Sequence, residues 1–145
     1  NELKATVMFP NDKVPLADQA GCWAACHEDA KGMPKGKDKT KYVSAGAMDL
    51  VQWASSGKSS DGFVADKRNM TGGKAGATAE GAKAGDTYPV TFTRKLAGNA
   101  VLAAGKAVPF GIAIHADNAG GRFHHVSFGH TIGRGADGEV KAAKQ

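Results

Sequence analysis

Apolar and polar positions alternate over several short stretches of this chain, and proline, glycine or asparagine punctuates them. Leu3-Lys4-Ala5-Thr6-Val7-Met8-Phe9 predicts a strand that stops at Pro10, because a period of two marks a half-buried strand. Asn11-Asp12-Lys13 predicts a turn, and Val14-Pro15-Leu16 a brief extended piece. Asp18 is placed to cap a helical turn that carries Gly21 to Ala30, and Met33 to Lys39 predicts a charged loop. Leu50, Val51 and Trp53 have the spacing of one or two buried helical turns, ended by Ser55-Ser56-Gly57. Gly, Ala, Lys and Thr fill residues 67–86, which predicts a long flexible loop.

Three further strands are expected beyond that loop. Tyr88–Lys95 puts Val90, Phe92 and Arg94 on one side and Thr91 and Thr93 on the other. Pro109–Ile114 is apolar throughout, as a central strand would be, and Arg122–Ile132 contains Phe123-His124-His125-Val126. Short strands separated by glycine-rich turns imply a mainly β fold: an antiparallel β-sandwich of two sheets, immunoglobulin-like in architecture, with short helices in its loops. At 145 residues the chain is expected to form a single domain spanning 1–145, without internal repeats.

No stretch approaches the roughly 18 consecutive apolar residues of a membrane span, so a chain that does not cross a membrane is expected. Asn1-Glu2-Leu3-Lys4 has no apolar run behind it, so no leader is expected there, and Asn1 is expected to arise by processing or excision. Net charge is +5, most of it from lysines. Without an aromatic-plus-arginine cluster or zinc-finger spacing, that charge suits an acidic protein partner better than nucleic acid, or it merely solvates the surface. No Ser/His/Asp set, carboxylate pair or phosphate-cradling glycine loop suggests an enzyme.

Cys22-Trp23-Ala24-Ala25-Cys26-His27 carries the chemistry. Covalent haem attachment needs two thiols that reach the vinyl groups and a histidine directly after the second, so that its imidazole lands under the iron. Here three residues separate the cysteines, one more than the common spacing; residues four apart on a helical turn still share a face. A disulfide, a zinc site completed by distant histidines and a thiol redox pair remain as alternatives. A haem that only carries electrons needs a second axial ligand, and Met8, Met33, Met48, Met70, His115, His124, His125 and His130 are the candidates. His124 and His125 face opposite ways if they lie on a strand, and the sequence does not say which points inward.

The order of Gly21–His27, Asp49–Trp53, Thr91–Leu96, Val108–Ile114, Gly120-Gly121-Arg122 and Val126-Ser127 resembles the haem-binding domain of c-552-type cytochromes. That domain is similar to the gamma subunits of DMSO-reductase-family molybdoenzymes such as ethylbenzene dehydrogenase. The resemblance implies a β-sandwich that holds one haem c and works as a periplasmic electron carrier, with a molybdoenzyme or multihaem cytochrome as redox partner. The gamma subunits hold their haem between a Met and a Lys. Lys41 or Tyr42 stands here in place of that Met, and aligning Val126-Ser127 puts His124 in place of the Lys. Bis-histidine ligation by His27 and His124 follows, with His125 and Met70 as alternatives. A gas-binding or sensing haem protein with a weak distal ligand is the rival function, and a haem-free sandwich with a zinc or disulfide is a third.

Overall fold

A computed structural model describes residues 2–14, 16–21, 47–65, 68–116, 124–135 and 137–143. The chain is mainly β, with two sheets. Strand β1 (Lys4–Pro10) lies where the alternation places it and pairs antiparallel with both β2 (Met48–Ala54) and β7 (Ala107–His115). From β2 the larger sheet continues through β3 (Ser59–Val64) to β4 (Arg68–Asn69). On the other side of β7 lie β8 (His125–Val126) and β9 (His130–Gly133), and β10 (Val140–Lys141) joins β9. A second sheet pairs β5 (Thr78–Gly81) with β6 (Val90–Thr93). The β9–β10 pair is parallel, which departs from the all-antiparallel expectation at the sheet's edge.

Two apolar layers lie on opposite faces of the large sheet. Met8, Met48, Leu50, Val64 and Ala113 fill one, together with Val14 and Ala17 from the segment after β1. Val51, Trp53, Ala75, Ala77 and Ala79 fill the other, under Val90 and Phe92 of the small sheet. Consecutive β2 residues therefore bury into different layers, and nearly every side chain of the strand is buried. That double burial erases the period-two signal and explains why Leu50, Val51 and Trp53 resemble helical turns in the sequence. Residues 67–86 likewise depart from the flexible-loop expectation, for they include β4 and β5. Their inward side chains are alanines, small enough to seat the small sheet against Trp53 yet too weak to mark a strand.

Helix α1 (Ala17–Ala20) lies before the expected helical turn of Gly21 to Ala30. Asp18 sits in its first turn, not at its cap; Leu16 holds the N-cap position in a left-handed conformation without a side-chain cap bond. Gly21 ends α1, and the expected turn beyond Gly21 lies outside the described residues, as do Met33–Lys39. The expected strand Arg122–Ile132 is interrupted: Ser127 still donates its backbone N–H to Ile112 at 2.8 Å, while Phe128 and Gly129 leave the sheet before β9 begins.

A buried ion pair fixes the loop after β6. The carboxylate of Asp49, fully buried, accepts from Arg94 Nη2 at 3.0 Å, from the backbone N–H groups of Asn99 and Ala100, and from Asn99 Nδ2 at 2.9 Å. Every oxygen of that carboxylate is thus satisfied, as a charge held in an apolar layer requires. Burial pushes the Arg94 guanidinium below its ordinary range against the upward pull of Asp49, and the guanidinium also stacks over Phe9, 4.6 Å from the ring centroid. Gly98 stands where a Cβ would run into Asp49 Oδ2.

Candidate functional site

Cys22, Cys26 and His27 lie outside the described residues, as do Trp23 and Met33; both ends of their segment are described. At its start, Gly21 adopts φ 56°, ψ −129° and donates its N–H to Ala17 O at 3.1 Å. A Cβ there would fall 2.9 Å from the backbone carbon and oxygen of Phe128. Gly129 N–H donates to Gln19 O at 2.8 Å. The residue before Cys22 is therefore wedged against the Phe128–Gly129 excursion between β8 and β9. At the far end, Ala47 O accepts from Asn11 N–H at 2.9 Å, beside the Pro10 end of β1.

The excursion follows the two adjacent histidines directly. Strand β8 pairs with β7 through Ala113↔Val126 and Ile114↔His125. One step further along the ladder the His115 and His124 rings stack, with centroids 4.7 Å apart and planes 20° from parallel. Val126 packs against the Met8 layer, so His124, two residues before it, faces the same side. His115 shares the side of Ala113 by the same alternation. Both rings are half-buried, whereas His125 is exposed on the opposite side, beside the partly exposed Ile114.

Met70 also packs against the Met8 layer, so it shares a face with His124 and His115, and His125 does not. Met8 and Met48 are buried within that layer as filler. His130 stands apart, its ring 5.7 Å from that of Phe110 and its Nδ1 2.9 Å from Glu139 Oε2. Trp53 faces the small sheet, with Tyr88 at 5.6 Å, which makes it core on the side away from the paired histidines.

The histidine face is electropositive. Burial pushes the His115 imidazole below its ordinary value, and His124, Lys4 and Arg68 push the same way. A neutral imidazole keeps a lone pair, which is the form that binds iron. Among the described residues no three His, Cys, Asp or Glu side chains converge as a metal cage. The donor set here is instead a pair of imidazoles, on the face where the Cys22 segment begins. That set fits an axial position of a haem. His115 was legible as one candidate among eight; its role beside His124 appears only once β7 and β8 are in register.

Two curated relatives match the chain over its full length. It is 52% identical to cytochrome c-551 of Rhodocyclus tenuis over 147 residues, covering 56% of that protein. It is 47% identical to cytochrome c-552 of Stutzerimonas stutzeri over 157 residues, covering 54% of that protein. The chain thus spans about half the length of the curated relatives it matches. No family model and no solved structure matches it. Among the described residues no helix is long and apolar enough to cross a membrane.

Proposed function

We propose that this chain is a c-type cytochrome domain that carries single electrons and is not an enzyme. Cys22 and Cys26 hold one haem c through thioether bonds, His27 takes one axial position, and His124 takes the other. The single observation that carries this reading is the Cys22–His27 motif leading directly from Gly21, which packs on the turn three residues beyond His125. The names of both relatives, cytochromes c, support it.

The bound haem supplies an Fe(III)/Fe(II) couple. The protein's part is to hold two neutral imidazoles in fixed orientation, so that the coordination sphere changes little between oxidation states. Histidine in place of a thioether on the second side lowers the potential. Covalent attachment implies an exported, periplasmic protein. The likeness to molybdoenzyme gamma subunits points to a molybdoenzyme or multihaem cytochrome as partner, and a net charge of +5 favours an acidic docking face.

Acid-unfolded mass spectrometry of material matured in a cytochrome-producing cell tests the attachment. One porphyrin mass retained on the polypeptide is expected; a bare polypeptide with both thiols free, or linked to each other, refutes it. Carbon monoxide added to the reduced protein tests the coordination. A saturated iron gives no rapid spectral shift, whereas a large one supports gas sensing.

A further inference from the structure

The turn that abuts Gly21 also presents the most exposed large apolar side chain among the described residues: Phe128 is 77% exposed. We propose that the Phe128 ring packs against the haem on the side of the Cys22 thioether and excludes water from that edge. This rests on the reading of Cys22 as an attachment point and does not depend on which residue binds iron opposite His27.

A single exposed apolar side chain is ordinary on a protein surface, and Leu16 and Val101 are others here. Phe128 differs in how its backbone is held and in what it is held against. Ser127 ties the turn to β7 twice: its N–H donates to Ile112 O at 2.8 Å, and its Oγ accepts from Ile112 N–H at 2.8 Å. Gly129 ties it to α1, donating to Gln19 O, and a Cβ on Gly129 would fall 2.4 Å from the backbone carbon and oxygen of Asp18. Phe128 itself has its backbone carbon and oxygen against Gly21. The backbone is thus fixed from both flanks, yet Phe128 belongs to neither apolar layer.

Covalent geometry brings that residue to the cofactor. Cys22 follows Gly21 directly, one peptide step of about 3.8 Å between Cα atoms. With a Gly21 Cβ only 2.9 Å from Phe128 C, the Cα atoms of Cys22 and Phe128 lie within about 10 Å of each other. That separation is short enough for a phenylalanine side chain and a cysteine thioether to meet on one porphyrin edge. Contact there buries a ring that is otherwise open to water. It also lowers the local dielectric, which disfavours the extra positive charge of ferric iron and raises the potential.

The test is NMR of the reduced holoprotein, with its phenylalanine rings labelled, under carbon monoxide, which keeps the iron diamagnetic whether or not a residue holds the sixth position. Signals missing from Phe128→Leu identify the Phe128 ring. Its protons are expected to show nuclear Overhauser effects to haem protons beside the thioether and a ring-current displacement from free phenylalanine positions. Potentiometry is expected to find Phe128→Ala lower in midpoint potential than the native protein, with Phe128→Leu between them. A haem-loaded native protein whose Phe128 protons show no contact with the porphyrin overturns the inference, as does an unchanged potential in Phe128→Ala. Failure of the attachment reading is distinct: the acid-unfolded polypeptide would then carry no porphyrin mass at all.

Discussion

Gly21→Ala perturbs the contact between the residue before Cys22 and the Phe128 turn. At φ 56°, ψ −129° Gly21 lies in a region that side chains avoid, which costs on the order of 1–3 kcal/mol for alanine. The new methyl would also sit 2.9 Å from Phe128 C and O and 3.0 Å from Gly129 N, all backbone atoms that move only as a unit. Forcing that shift adds roughly 1–3 kcal/mol, giving a loss of about 2–6 kcal/mol, a large share of a typical domain's stability. Gly57→Ala is the control: it too has positive φ, 83°, but nothing stands within 4 Å of a Cβ there. Its loss should be only about 1–2 kcal/mol. Urea unfolding of each holoprotein, followed by far-UV circular dichroism, gives the comparison. The two variants should differ by at least about 1 kcal/mol, with Gly21→Ala the weaker. Equal losses would refute the wedge between Gly21 and the Phe128 turn.

Asp49→Ala should cost about 3–5 kcal/mol, because it strands the Arg94 guanidinium and two backbone N–H groups in an apolar layer; chemical denaturation checks it, and a loss below 1 kcal/mol contradicts it. If His124 binds the iron, Arg68→Gln should lower the midpoint potential, because Arg68 acts on the neighbouring His115 and a cation on that side favours reduced iron. Potentiometry in low and high salt reads it, and the shift should shrink as salt rises. Hydrogen bonds from His130 and then the Thr131 backbone hold Glu139 below its ordinary value of 4.5. Its folded pKa is the lower one, so the Glu139 clasp on β9 contributes above the unfolded value and is lost as pH falls through the folded one. Carboxyl NMR titration should place Glu139 below 4.5, and His130→Phe should raise it part of the way, since the Thr131 backbone bond remains.

The parts of the fold legible in the sequence are those with one face open. β6 shows its alternation plainly, because Thr91 and Thr93 are exposed on the side away from the apolar layer that Val90 and Phe92 pack against. β2 does not, because Asp49 is buried in an ion pair and Trp53 in one layer while Met48 and Leu50 fill the other. Ala77 and Ala79 hide β5 because a methyl group carries little patterning signal while still filling space. The site divides the same way. Strand alternation foretells that His124 and His125 diverge, yet only Val126 packed on the Met8 layer decides which turns inward. The contact between Gly21 and Phe128 joins residues more than a hundred positions apart through backbone atoms alone, and no side-chain pattern announces it.

The proposed coordination brings an imidazole from the β7–β8 ladder to the iron that His27 would hold. EPR of the oxidised native protein and of His124→Ala, recorded side by side, tests this most directly. The native protein should give a wholly low-spin signal with the g-values of two imidazoles, and the variant a high-spin one. A His124→Ala spectrum indistinguishable from the native would contradict it.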